Sequence, residues 1–321
     1  MGGSAELHMD AQQRSLAIET GPQVVDRSSD AEPANSVLIV HHNSVDTIWT
    51  TVRAVVDEGV SPTEITVVDN SESIDVSVEL RERNDIGINL LFTDNAGYAA
   101  AVNTGVRHLA SEGRLRSRVL VLTHETLPEL GAIHALEQAM LATGAVAVGP
   151  TLVVGHGADA RVWSRGGVLS KRLLRPSHVG HGEPWPERVR LPESPVRRRW
   201  LDGAAVLYDG ETLRDRPLPE QYFLYLEELD YHVQLGRDGK TVYWQPSAVM
   251  HQASDGVPPY YLLRNTVLFQ RRWGRWPYST LAVGIAAGGA WRRSRRREPS
   301  RTRVVGGLWQ ALKDGRAAAK A

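Results

Sequence analysis

Two groups of residues have the types and spacing to do chemistry. The first is a series of four polar stretches, each placed where an apolar, β-branched run ends. They are His41-His42-Asn43-Ser44, Asp69-Asn70-Ser71, Asp94-Asn95-Ala96-Gly97-Tyr98 continuing to Asn103, and Thr123-His124-Glu125. The second is the acidic run Glu227-Glu228-Leu229-Asp230. One polar stretch is a turn signal and no more, because Asn, Asp, Ser and Gly favour turns. Four of them on the same edge of one sheet describe a pocket. In such a pocket Asp69 can accept hydrogen bonds from a base imide or a ribose hydroxyl. Gly97 allows close backbone approach, and a helix opening at Tyr98 offers N–H groups to an anion. The acidic run opens a further predicted helix, where acids in the first turn are favoured by the macrodipole. Glu227 and Asp230 stand side by side there, at i and i+3.

The elements that must position these residues follow from periodicity. Segments 36–41, 64–69, 88–93, 118–122 and 145–151 read as strands, separated by helix-period segments 45–57, 76–82, 98–109 and 128–143. Continuous apolar runs such as Val37-Leu38-Ile39-Val40 and Val119-Leu120-Val121-Leu122 suit parallel strands covered on both faces. Strand–helix repetition of this kind predicts an α/β fold with a doubly wound, Rossmann-like, mostly parallel sheet flanked by helices. Ligands of such sheets sit beyond the carboxyl ends of the strands, where the strand order reverses. After residue 151 the rhythm breaks. The stretch 153–199, rich in Gly, Pro and Arg, predicts a hairpin and a long loop. Order resumes at 200–208, with a helix near 226–238, a strand at 241–244 and a helix at 260–273.

The two ends of the chain differ from its middle. Residues 1–35 are polar and lack the apolar core of a secretory signal, which predicts a disordered tail and a cytoplasmic protein. Residues 278–291 are apolar and Gly/Ala-rich, and Arg292, Arg293, Arg295, Arg296, Arg297, Arg301 and Arg303 follow. The apolar part falls short of the roughly 20 residues that span a bilayer. Two readings stand: peripheral docking on anionic lipid, or an ordinary helical extension with a solvated basic face or an oligomer contact.

Composition removes several classes. The 321 residues carry 37 Lys+Arg, 37 Asp+Glu, no cysteine and 42% hydrophobic residues. That mixture excludes wholesale disorder. Without cysteine there is no disulfide framework, thiolate metal site or cysteine nucleophile. The balanced charge argues against a nucleic-acid partner.

The stretches Ser36-Val37-Leu38-Ile39-Val40-His41-His42-Asn43, Val68-Asp69-Asn70, Asn95 to Asn103 and Tyr225-Leu226-Glu227-Glu228-Leu229-Asp230, in this order, resemble the family 2 glycosyltransferases of the GT-A fold. The bacterial rhamnosyltransferase-like branch is the most similar. The resemblance implies a GT-A domain over 36–275 with a helical, basic C-terminal extension over 276–321. It implies inverting transfer of a sugar from a dTDP-, UDP- or GDP-linked donor to a hydroxyl of a glycan, lipid-linked intermediate or natural product. Usually Mn²⁺ or Mg²⁺ assists. The family's acidic metal motif reads Thr123-His124-Glu125 here, so Glu125 is the implied ligand, Thr123 a weaker one, and His251 matches the late histidine ligand.

The same resemblance assigns the remaining roles. The family's base is the second residue of its acidic motif, here Glu228, with Asp230 as the other catalytic choice. A carboxylate that takes the acceptor's proton is worth typically about 10²–10⁴-fold. Asp202, Gly203 and Glu227 would meet the sugars, and Arg264, beside Asn265, would neutralise diphosphate oxygens. His42, Asn43, Asp69, Asn70, Asn95, Gly97, Tyr98 and Asn103 would hold the nucleotide sugar. Trp163, Trp185 and Trp200 either stack on an acceptor or pack. Each polar residue also has a plain structural reading as a cap, a turn or a surface pair. The altered metal motif keeps a second function open, a catalytically degenerate module that binds a sugar nucleotide or a membrane surface. A sugar nucleotidyltransferase would need a Gly-rich phosphate loop, which His41-His42-Asn43-Ser44 does not supply.

Overall fold

The apolar runs read from the sequence become the strands of one large sheet. The computed structural model describes residues 35–185, 191–253, 258–297 and 301–319, so the tail expected at 1–35 lies almost wholly outside the described residues. The first half runs β1 (Asn35–His41), α1 (Val45–Asp57), β2 (Ile65–Asp69), α2 (Ile74–Glu82), β3 (Asn89–Phe92), α3 (Tyr98–Ser111), β4 (Arg118–Thr123), β5 (Leu127–Pro128), α4 (Ala132–Thr143) and β6 (Ala147–Val154). Four short strands follow: β7 (Arg161–Ser164), β8 (Gly167–Leu169), β9 (Pro176–His178) and β10 (Val196–Arg198). The chain then forms β11 (Ala205–Asp209), α5 (Gly210–Asp215), α6 (Glu227–Arg237), β12 (Val242–His251), α7 (Pro259–Trp273), α8 (Tyr278–Arg297) and α9 (Arg301–Ala318).

Strand order is β10-β12-β6-β11-β4-β1-β2-β3. β1 lies parallel to β2 and β4, and the order reverses between β1 and β4. Alternate residues of β1 serve opposite faces, as a period of two requires. Val37 and Ile39 join Ile48, Val52 and Val55 of α1 and Leu136 of α4. Leu38 and Val40 join Val102 and Val106 of α3 and Leu235 of α6. Each of these aliphatic side chains contributes about 1.5–3 kcal/mol by leaving water. α3 lies unusually close to the sheet because Gly105 has no side chain there; a Cβ would sit 2.9 Å from Val68 Cγ2 and 3.0 Å from Leu38 Cδ2.

The expected doubly wound α/β architecture is borne out, its C-terminal helical extension included, with two differences of detail in the sheet. β11 enters antiparallel between β4 and β6. β12 continues past Trp244 to His251, with a register shift between Trp244 and Val249 where Pro246 interrupts the ladder. The segment after 278 is one helix through Arg297, and α9 follows it. These two pack on α7 through Leu263, Val267, Ala290 and Ala311.

Candidate active site

The carboxyl ends of β1, β2 and β4 converge where the strand order reverses. His41 Nδ1 lies 2.8 Å from Asp69 Oδ1, and the Ser44 N–H donates to His41 Nε2 at 3.0 Å. That second bond fixes the tautomer: Nε2 carries the lone pair, so Nδ1–H donates to Asp69. The Ser71 hydroxyl also donates to Asp69. Burial raises the Asp69 carboxyl, but the bonds from His41 and Ser71 outweigh it and hold the group below its ordinary range. Beside this pair, the Asn70 amide donates to Asn95 Oδ1 at 3.3 Å, and exposed His42 and Asn43 form the rim. A groove of about 600 Å³ opens between Asp69, the start of α2 and the end of β3, lined by Glu72, Ser73, Arg81, Phe92 and Thr93 among others. This volume is within the range of small-molecule sites.

A second cluster adjoins the first. The Thr123 N–H donates to Ala204 O at 3.0 Å, so the end of β4 touches the turn that carries Asp202 and Gly203. Glu228 lies across Gly203, where an added Cβ would meet its Cβ and Cγ at 3.5 Å. Trp163 Nε1 donates to Asp202 Oδ2 at 2.9 Å, and the Ala204 N–H donates to Asp202 Oδ1 at 3.0 Å. The Tyr98 hydroxyl donates to Gly203 O at 2.7 Å. Burial first, then the charges of Glu227 and Asp202, push the half-buried Glu228 carboxyl well above the carboxylate range. Burial likewise raises Glu227, which is 3% exposed and has no hydrogen-bond partner on Oε2 among the described residues. His232, on the same helix, accepts from the Leu201 N–H at 3.3 Å and is pushed down to about 3 by burial. It is therefore neutral, and it anchors the turn from beneath.

The third group is the β4–β5 turn. His124 stands edge-on to His41 with ring centroids 5.4 Å apart, and its Nε2 is 3.3 Å from Glu125 Oε1. β12 pairs with β5 so that His251 faces Leu127, two residues beyond Glu125. His251 Nε2 is 2.7 Å from Glu129 Oε1, while its buried Nδ1 has no partner among the described residues. The carboxylates of Glu125 and Glu129 on either side of β5 and the imidazole of His251 at the end of β12 are the donor types of a Mn²⁺ or Mg²⁺ site. They fit such an ion as a sparse site completed by ligand oxygens. Among the described residues no three His, Asp or Glu side chains are already gathered around one point. The Thr123 hydroxyl is shared with Thr126 at 2.8 Å and belongs to the turn itself.

At four of the expected positions the structure shows partners within the protein. Gly97, at φ +100°, does give close approach, but to the chain's own Phe223 carbonyl, from which an added Cβ would be only 2.1 Å away. The Tyr98 N–H donates to that carbonyl at 2.8 Å, so the first N–H of α3 is spent inside the protein. Asn103 is 3% exposed and clasps both the N–H and the C=O of Leu218. Arg264 donates to the carbonyls of Gln221 and Tyr222 and braces that loop. Asp230 is fully buried and accepts from Tyr222, Arg272, Trp273 and Gln234. Of the tryptophans, Trp200 packs against Gly167 and Trp185 against the Val153 cluster, while Trp163 reaches the site.

Sequence reasoning named His41 at a strand end without giving it a role, and it missed Glu129, His178 and His181. His41 was legible in principle as the last residue of an apolar strand beside one that ends in Asp. His178 lies 3.7 Å from Asp202 Oδ2, and its ring and that of His181 flank Trp163. They sit in the irregular stretch, where no periodicity assigns them a neighbour.

The sequence profile described as Glycosyl transferase family 2 matches residues 36–206, more than half of the chain. No curated protein matches it. Among solved structures, GalNAc-T7 with UDP, GalNAc and Mn²⁺ is similar at TM-score 0.60 and 15% identity, over 77% of this chain and 49% of that one. This chain thus spans about half the length of that protein. The mannosyltransferase PcManGT from Pyrobaculum calidifontis, with GDP-Man and Mn²⁺, is similar at TM-score 0.50 and 16% identity, over 90% and 74%. TarS 1–349 of S. aureus, in complex with UDP-GlcNAc, is similar at TM-score 0.50 and 12% identity, over 89% and 82%. At such identities the likeness is one of fold, the GT-A arrangement expected from the motifs. Profile, fold and the meeting of strand ends with an acidic helix agree: the chain belongs to glycosyl transferase family 2.

Proposed function

We propose that the chain moves a sugar from a nucleoside-diphosphate donor (dTDP-, UDP- or GDP-linked) to an acceptor hydroxyl, inverting the anomeric carbon, with Glu228 as base. The observation that carries this reading is the carboxylate cluster in which Glu228 lies on Gly203 beside Asp202 and Glu227. A carboxylate with raised proton affinity is a better base near neutral pH than an ordinary one. In the step, the acceptor oxygen bonds to the anomeric carbon opposite the diphosphate. The bond from that carbon to the diphosphate oxygen breaks, its electron pair leaves with the diphosphate, and the hydroxyl proton passes to Glu228. Asp202, held by Trp163, receives a sugar hydroxyl. His42, Asn43, Asp69, Asn70 and Asn95 frame the nucleoside in the strand-end groove. Asp230, Asn103, Gly97 and Arg264 position these groups without touching substrate.

Glu125 and His251 would hold a divalent cation, with Glu129 orienting the imidazole; when bound, such an ion neutralises charge on the departing diphosphate. The nucleotides and Mn²⁺ in the GalNAc-T7 and PcManGT structures support both the donor class and the cation. The Asn95–Asn103 and 225–230 motifs support the rhamnosyltransferase-like branch. The catalytic domain is 36–275, extended by 276–321, and the reaction compartment is the cytoplasm. One observation favours a second reading, a degenerate binding module: the metal motif reads Thr123-His124-Glu125 and no three metal donors are gathered among the described residues.

Donor turnover separates the two. The protein is incubated with a panel of nucleoside-diphosphate sugars and Mn²⁺, and released nucleoside diphosphate is measured. Release is expected, and Glu228→Gln should keep the nucleotide's thermal shift while losing about 10²–10⁴-fold in turnover. Binding of donors without any release establishes the module instead; a Gln variant with normal turnover removes Glu228 as base.

A further inference from the structure

We infer that the helical pair α8–α9 is a docking surface for an anionic lipid bilayer. A helix on the outside of a soluble protein turns apolar residues inward and polar residues outward. α8 carries a second apolar stripe that faces outward. Its buried positions are Ala282 and Ala290, while Tyr278, Leu281, Ile285 and Trp291 are exposed. Tyr278, Leu281 and Ile285 follow one another at spacings of three and four, so they share one stripe of the helix. Leu281 is 55% exposed and Trp276, just before the helix, 83%. On α9, Val305 and Trp309, one turn apart, are 55% and 56% exposed. Val283, Ala290, Val304, Leu308, Ala311 and Leu312 already serve the packing on α7, so these exposed apolar side chains are surplus to the core.

Charge identifies what covers them. α8 contains five Arg and no acid; α9 adds Arg301, Arg303, Lys313 and Arg316 against the single acid Asp314. Asp314 is itself bonded by Tyr260 and Gln310. Among the described residues no helix is long and apolar enough to cross a membrane, so the contact is interfacial. Trp and Leu side chains enter the boundary between headgroups and acyl chains, and the arginines stay at the level of the phosphates. A second copy of the chain would bring two sets of the same cations together, which is repulsive. A nucleic acid would take the cations and leave the apolar stripe in water. An anionic bilayer satisfies both at once.

The test is co-sedimentation of the full chain with vesicles of phosphatidylcholine alone or with about one-third phosphatidylglycerol. Binding should be at least about tenfold stronger on the anionic vesicles and should weaken as salt is added. The double variant Leu281→Gln/Trp309→Gln keeps the net charge, and it should lose about tenfold in binding while its melting temperature stays at the wild-type value. Arg292→Gln/Arg293→Gln should bind less and respond less to salt. Three results would overturn the inference: equal sedimentation with neutral and anionic vesicles; a lipid-free dimer that Leu281→Gln dissolves; or binding of RNA or duplex DNA without any binding of vesicles.

Discussion

Replacing Asp230 of α6 with alanine removes the acceptor of four hydrogen bonds, three of which tie the helix to α7 and to the turn before it. Tyr222 donates to Asp230 Oδ2 at 2.8 Å and Arg272 at 2.9 Å; Trp273 donates to Oδ1 at 2.7 Å and Gln234 at 3.3 Å. Arg272, with 35% of its side chain exposed, turns to water, and the longest bond, from Gln234, counts for little. The Tyr222 hydroxyl and the Trp273 indole are left without an acceptor, at about 1–3 kcal/mol each. Burial drives the Asp230 carboxyl upward, so its removal also relieves a desolvation cost and offsets part of that loss. The net destabilisation is about 2–4 kcal/mol, or a melting temperature lower by about 5–15 °C. Thermal unfolding measures it, and on the proposed assignment turnover well below the transition should stay within about tenfold of wild type, because this carboxylate is buried and bonded within the protein. A variant that melts within about 2 °C of wild type yet loses 10²-fold or more in turnover would refute the assignment and return Asp230 to catalysis.

Two further outcomes follow from the same geometry. Glu228 must be ionised to act, and its proton affinity is raised by burial and by Glu227. Activity should therefore climb as pH rises through that raised value, and Glu227→Gln should move the acidic limb of kcat/KM to lower pH; a limb that stays put disconnects the two residues. Gly97→Ala forces a Cβ into the Phe223 carbonyl at positive φ, and it should cost about 1–3 kcal/mol together with donor affinity, read by denaturant unfolding and calorimetry. An alanine variant of wild-type stability would show that the Phe223 loop is free to move aside.

Much of the fold was legible because its signal is local. The alternation of Val37 and Ile39 with Leu38 and Val40, serving two helical layers, is written in the strand itself. The direction of β11 is not, since a short apolar strand reads the same in either orientation and only its neighbours decide. The site shows the same limit. Glu228 and Asp230 share one helix and one chemistry, and which of them faces the cleft depends on Tyr222 and Trp273, residues outside the run. Asn103 and Arg264 looked like ligand contacts because the family resemblance assigns them that role. Their carbonyl partners lie about 40 to 115 residues away in sequence, beyond the reach of any motif.

The approach to α6 carries Phe223, Tyr225 and Leu226 at φ of +65°, +69° and +70°, a conformation that costs non-glycine residues free energy. Phe223 is tied to the loop that opens α3 through the Tyr98 N–H. The groove that would cradle the nucleotide and the helix that carries the proposed proton acceptor are thus joined in one bracket. Substitutions that retune one wall of that bracket will register in the rate of reaction as well as in the tightness of binding, so the two traits are inherited together.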